Sequence, residues 1–205
     1  MPQVTFQKIQ LWWYGVNRCF GIADNEFIRG KVPMTKEEVR AIILHRLRLN
    51  RNSIVADIGA GTGSLSIEAA LLASEGRVYA VEKSSEAIGI LKANIDKFGA
   101  DNIEVIHGEA PEALESLPRL DRVIVGGSSG KIEDIINGAK EKLRPGGRIV
   151  VSLITLENLC TAFKVLEGSF ESEVSEIIVA KAEKLGKYKS LRARNPVFIV
   201  SGEIQ

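Results

Sequence analysis

Cysteine, histidine and aromatic side chains are all scarce in this chain of 205 residues. The two cysteines, Cys19 and Cys160, lie far apart and fit neither a zinc nor a dithiol spacing. Two are also too few for the disulfide framework of a secreted protein, so a reducing, cytoplasmic setting is expected. His45 and His107 are the only histidines, which leaves no basis for a His-built metal centre, and no metal is expected. No apolar run approaches the ~18–20 residues that span a bilayer. The N-terminus is interrupted by Gln7, Lys8 and Gln10 and lacks the apolar core of a signal peptide. An excess of one charge is missing too. Lys and Arg number 27 against 26 Asp and Glu, a net +1, so no bulk attraction to nucleic acid or to a membrane is expected.

What remains is ordinary globular material. With 45% hydrophobic and 26% charged residues, the length suits one core domain with an appendage. Trp12, Trp13, Tyr14 and Phe20 crowd the front end, so the chain divides into an aromatic arm over 1–22 and a domain over 23–205.

Apolar, β-branched runs alternate with helical patterns. Strands are expected at Ile54–Ile58, Arg77–Glu82, Ile103–His107, Arg122–Gly126 and Arg148–Leu153. Helices are expected near Ser64–Ala73, Ser84–Phe98, Pro111–Leu117, Ile132–Leu143 and Leu156–Leu166. This alternation predicts an α/β, doubly wound parallel sheet. The last two strands, Glu173–Ala182 and Pro196–Gly202, have no convincing helix between them and should pair antiparallel through a long loop. Upstream, Thr35-Lys36-Glu37-Glu38 reads as a capping box that opens a helix at Thr35.

The sharpest motif is Asp57-Ile58-Gly59-Ala60-Gly61-Thr62-Gly63-Ser64, at the carboxyl end of the first strand. In an open α/β sheet that is where a ligand binds. Glu82 ends the second strand, where a carboxylate can accept both hydroxyls of a ribose. Glu109 and Ala110 follow the third strand, where an adenine would be read and flanked. A dinucleotide fingerprint requires Gly or Ala at position 64, which is Ser64, and places a pyrophosphate at the helix start. Asp57 beside the glycines repels phosphate and suits a cation that bears an ammonium and a sulfonium. The pattern therefore favours S-adenosylmethionine (SAM) and resembles the class I SAM-dependent methyltransferases. That resemblance implies a Rossmann-like sheet of seven strands with the last antiparallel.

The acceptor side offers no Asn/Asp-Pro-Pro-Tyr segment to hold an amine. In its place stand Gly126, Gly127, Ser128, Ser129 and Gly130, whose backbone amides can form an anion-binding nest. From Lys181 to Arg194 six cations face a single acid, Glu183. Arginine clamps carboxylates in bidentate fashion, so a polycarboxylate acceptor would explain the local charge. A solvated face and a phosphate-gripping RNA patch are the other readings, and an RNA or protein class I methyltransferase is the alternative function.

A closer resemblance lies in a series of segments. In order they are Gly21–Gly30, Val32–Arg40, Asp57–Ser64, Gly108–Leu114, Gly126–Gly130, Leu143–Arg148 and Arg194–Val197. Together these resemble the decarboxylating cobalt-precorrin-6B C-15 methyltransferases of cobalamin biosynthesis, over about Gly21 to Val200. The resemblance implies SAM-dependent methylation of ring carbon 15 of a tetrapyrrole, with loss of CO₂ from the ring C acetate, by a homotetramer. By position, Thr35, Gly59, Ala60, Gly61, Thr62, Gly63, Glu82 and Ala110 correspond to SAM contacts. Arg29, Lys31, Tyr188, Arg192, Arg194 and Asn195 are candidate clamps for the substrate's carboxylates, and Glu68 is a possible polar contact. No side chain is assigned as a catalytic acid or base.

Overall fold

Five largely apolar strands need cover on both sides, and the chain supplies it with helices in alternation. The computed structural model describes residues 21–205. The aromatic arm therefore lies outside the described residues, apart from Gly21 and Ile22.

In chain order the elements are α1 (Glu37–Leu47), β1 (Ile54–Ile58), α2 (Ser64–Leu72), β2 (Arg77–Glu82), α3 (Ser85–Phe98) and β3 (Ile103–His107). Next come β4 (Leu120–Val125), α4 (Ile132–Lys142), β5 (Leu143–Leu153) and α5 (Leu156–Glu167). The chain ends with β6 (Phe170–Ile177), β7 (Ala180–Leu185), β8 (Tyr188–Ala193) and β9 (Val197–Ile204). Seven strands form one sheet in the order β3-β2-β1-β4-β5-β9-β6. Strands β1 to β5 run parallel, and β9 lies antiparallel to both neighbours, β5 and β6. The order reverses at β1 and β4, as the doubly wound expectation requires, and the last strand is antiparallel.

Successive strand residues feed opposite layers. Val123 and Val125 pack with α4 and α5 through Ile135, Ile136, Ala162 and Leu166. Ile124, between them, faces Ile43 and Leu47 of α1 and Ile67 of α2. Full burial of a side chain of this size stabilises by about 1.5–3 kcal/mol.

Four local expectations need correction. Pro111–Leu117 is not a helix but holds a single 3₁₀ turn, Glu112–Leu114. Pro111 and Pro118 bracket a run too short to repay helix nucleation. The strand expected over Glu173–Ala182 breaks after Ile177, and its second half becomes β7. The expected long loop is accordingly a hairpin, β7 on β8, that stands outside the main sheet. Finally, α1 starts at Glu37 with Lys36 as its N-cap, and Thr35 makes no capping bond. Asp24 takes that role from a distant segment: its Oδ1 accepts from the Glu37 amide (2.9 Å) and Glu37 Oε2 accepts from the Asp24 amide (3.0 Å).

Candidate active site

The loops after β1 and β4 diverge where the strand order reverses, and a crevice must open between them. Here it is a cleft of about 760 Å³. Its floor is the loop after β1, one wall is formed by the ends of β2 and β3, and the other by residues Lys31–Lys36 together with the loops after β4 and β5.

Backbone bonds shape the floor. The amides of Gly59 (2.9 Å) and Ala60 (3.1 Å) both donate to the Val81 carbonyl, which ties the loop to β2. Glu82 sits 9% exposed at the end of that strand. Its Oε1 accepts from the amides of Lys83 and Ser84, and its Oε2 from the Gly61 amide, each at 2.9 Å. A carboxylate has about four acceptor sites, so one remains toward the cleft. Asp57 is fully enclosed, and burial pushes its carboxyl up to about 6. The Ser66 hydroxyl, donating to Oδ2 at 2.5 Å, opposes that rise, and the charge of Glu82 adds to it.

Gly61 has φ +56°, and a Cβ there would point at the Pro33 carbonyl, 3.4 Å away. At Gly59 a Cβ would lie 2.9 Å from the Gly127 amide nitrogen, so the loops after β1 and β4 touch through backbone alone. Gly63 serves a different purpose. A Cβ there would come within 2.1 Å of Leu91 Cδ1, so this glycine lets α2 approach α3 and does not line the cleft.

Residues 21–36 form a strap along the cleft. The guanidinium of Arg40, completely buried, holds it. Nε donates to Glu68 Oε1 (2.8 Å), and Nη1 donates to Asp24 Oδ1 (2.7 Å) and the Thr35 carbonyl (2.6 Å). Nη2 donates to the Ile22 carbonyl, and Glu68 Oε2 accepts from the Gly21 amide at 3.0 Å. Asn94 of α3 joins strap to floor, with Oδ1 accepting from the Ile28 amide (2.8 Å) and Nδ2 donating to the carbonyls of Ile28 (2.7 Å) and Thr62 (2.9 Å). Glu68 is thus a buried partner of Arg40, away from the cleft. Arg40 and Asn94 are polar residues at buried helical positions. That is the only sequence signal that could have found them.

The sequence-predicted residues divide clearly. Thr35, Asp57, Gly59, Ala60, Gly61 and Thr62 line the cleft. So do Glu82, Glu109 and Ala110 on one side and Gly126, Gly127 and Ser128 on the other. Glu109 is held by Lys83 (2.9 Å) and Lys131 (3.6 Å), and the Lys83 hydrogen bond keeps its carboxyl below the ordinary range. Of the candidate clamps, Lys31 lines the cleft, whereas Arg29, Tyr188, Arg192, Arg194 and Asn195 do not. Tyr188 and Arg192 project from the hairpin, where Arg192 pairs loosely with Glu183 at 3.4 Å. Arg194 is half-buried, and its Nη1 has no hydrogen-bond partner. Ser152, Ile154 and Asn158 line the cleft without having been singled out, because nothing in their pattern separates them from an ordinary strand–helix junction.

The residues present fit SAM. Thr62 Oγ1, 1% exposed and lining the cleft, has no hydrogen-bond partner and awaits one. Glu82 keeps an acceptor for a ribose, and Asp57 offers an acid rather than a phosphate-binding amide. Among the described residues no cluster of His, Cys, Asp and Glu could hold a metal ion, and no helix is long and apolar enough to cross a membrane.

Comparisons with known proteins agree with this geometry. The family described as "Precorrin methyltransferase domain" matches residues 26–203. A Saccharolobus solfataricus protein named "Probable cobalt-precorrin-6B C(15)-methyltransferase (decarboxylating)" is 44% identical over 189 residues, which cover 89% of this chain and 95% of the relative. Among solved structures, the precorrin-6y C5,15-methyltransferase of Geobacter metallireducens superposes with a TM-score of 0.86 at 40% identity, over 90% of this chain and 98% of that one. The precorrin 8W decarboxylase of Methanobacterium thermoautotrophicum gives 0.83 at 36% identity, over 88% and 98%.

Proposed function

The chain belongs to the precorrin methyltransferase family, and from that premise we propose that it methylates carbon 15 of a cobalt-precorrin-6B-type macrocycle, with loss of CO₂ from the ring C acetate, in cobalamin biosynthesis. The observation that carries the reading is the cleft in which a glycine loop with a ribose-ready carboxylate meets a loop of glycine and serine. An enzyme built for a planar amine would need amide or aromatic side chains at Gly126–Ser129, and these positions offer nothing larger than a serine hydroxyl.

SAM, when bound, supplies an electrophilic methyl group on a positive sulfur. Glu82 takes the ribose, and Glu109 and Ala110 take the adenine. Thr62 Oγ1 and the backbone of Gly59–Gly61 take the amino-acid end, beside Asp57. The acceptor carbon of a reduced tetrapyrrole is enamine-like and already nucleophilic. Transfer of a methyl cation leaves one positive charge in the ring. The electron pair released with CO₂ neutralises it. Atoms and charge balance with no net proton, oxidant or reductant, so the protein's task is alignment. Holding reactants in line is worth about 7–11 kcal/mol.

In the same reading Arg29, Arg192, Arg194 and Asn195 grip outer carboxylates of the substrate. The protein works in the cytoplasm as a homotetramer and binds neither nucleic acid nor membrane. Exposed Ile178, Leu185, Tyr188 and Leu191 on and beside the hairpin favour association. Light scattering tests the assembly. Mass spectrometry of the product tests the reaction: the expected product gains one methylene and loses one CO₂. A product that gains the methylene and keeps the carboxylate overturns the decarboxylation.

A further inference from the structure

The cleft wall formed by the strap and the loops after β4 and β5 carries two kinds of surface. The strap presents Lys31 and Lys36. Lys31 is exposed and makes no ion pair among the described residues. Among the described residues Lys36 reaches one acid, Asp24, at 3.8 Å, and Asp24 is already committed to Arg40 and the Glu37 amide. The same cleft is lined by the junction of β5 and α5, through Ser152, Leu153, Ile154 and Asn158.

That junction leaves large apolar surface in water. Ile154 is 73% exposed and the neighbouring Leu156 64%. The turn is not frayed, because Thr155 caps α5 by accepting from the Asn158 amide at 3.4 Å. A fixed turn that shows two branched side chains beside a binding cleft is the mark of a ligand surface rather than of a poorly packed end. The loop after β4, Gly126–Ser129, lines the cleft beside them without a side chain larger than serine.

Cations and an apolar shelf lining the same cleft suit a molecule with a flat apolar face and an anionic rim. We propose that Ile154 and Leu156 carry the face of the tetrapyrrole, that Lys31 and Lys36 hold its nearest carboxylates, and that the Asn158 amide orients one of them. This assigns acceptor specificity at the reacting ring to the strap and the β5–α5 junction. The hairpin cations reach at most the outer carboxylates. The assignment rests on the function proposed above.

The test uses the full chain and uroporphyrin, a stable flat tetrapyrrole rimmed with acetates and propionates, followed by fluorescence quenching. SAM affinity is measured on the same samples by calorimetry. Ile154→Asp and Lys31→Glu are each expected to weaken uroporphyrin about tenfold or more, the effect of losing an apolar contact or a charged hydrogen bond, with SAM affinity unchanged. The Lys31→Glu protein should also lose part of the salt dependence of uroporphyrin binding. Because both side chains are exposed, retained SAM binding certifies the fold. If the wild type converts cobalt-precorrin-6B while both variants keep wild-type uroporphyrin affinity, the placement is overturned and the proposed function stands. If the wild type binds SAM but neither binds nor converts any carboxylated macrocycle, the function falls as well.

Discussion

Glu82 accepts a hydrogen bond from the Gly61 amide at 2.9 Å, so the acid that ends β2 holds the glycine loop from above. With its other oxygen fixed by the amides of Lys83 and Ser84, this carboxylate cannot rotate away from the cleft. Charged hydrogen bonds of this kind are worth about 1.5–3 kcal/mol. Glu82→Gln should weaken SAM by roughly ten- to hundredfold in calorimetry. Unchanged affinity would remove Glu82 from the cofactor site.

Gly61 and Gly63, two residues apart, should fail in different ways. Gly61→Val places a branched side chain against the strap at a φ of +56°, and SAM binding should be lost while most thermal stability is kept. Gly63→Ala drives a methyl into Leu91 at a buried helix contact, which overpacking places at about 1–3 kcal/mol of lost stability. Its SAM affinity should fall less. Thermal melts and calorimetry on both variants separate the roles, and the reverse pattern would refute the assignment.

Removing one partner from a buried ion pair leaves the other uncompensated, at a cost of about 3–5 kcal/mol. Glu68→Gln should therefore lower the urea midpoint strongly, because Arg40 and Glu68 are 0% and 1% exposed. The strap depends on the same guanidinium, so SAM affinity should fall too. A change below about 1 kcal/mol would show that the pair is not the anchor.

The titration of Asp57 sets a pH dependence. Its carboxyl has an ordinary value near 3.8 and stands at about 6 in the fold. Between those values the folded protein keeps a proton that the unfolded chain has released. The contribution of Asp57 to stability is thus present on the acid side and declines as pH rises through the window. A cationic ligand favours the ionised carboxylate, so SAM binding should release a proton and tighten from about pH 5 to pH 7. Asp57→Asn should flatten that part of the profile. Superimposable profiles for wild type and variant would contradict the link.

Much of this was legible in the chain. β1, β2 and β3 fall at the expected residues, because apolar β-branched runs bounded by glycine or charge admit no other element. The placement of Asp57, Gly59, Gly61 and Glu82 in one cleft was legible for a related reason, because loop chemistry at the end of a strand is local and follows sequence spacing. The acceptor side depends on tertiary placement. Lys181 of β7 binds Glu37 (2.6 Å) and Glu38 (2.5 Å) of α1, which turns a basic stretch into part of a hairpin anchored beside the strap. Charge composition alone could not tell that hairpin from a cleft wall. Nor could a capping motif at Thr35 compete with Asp24, whose approach depends on Arg40.

The contact of Gly59 with Gly127 carries one more consequence. Backbone against backbone leaves no compressible side chain between donor loop and acceptor loop, so neither can shift without displacing the other. Ligands in the two halves of the cleft should therefore bind with coupled affinities. Whatever factor the methyl donor imposes on macrocycle affinity, the macrocycle must return to the donor in equal measure.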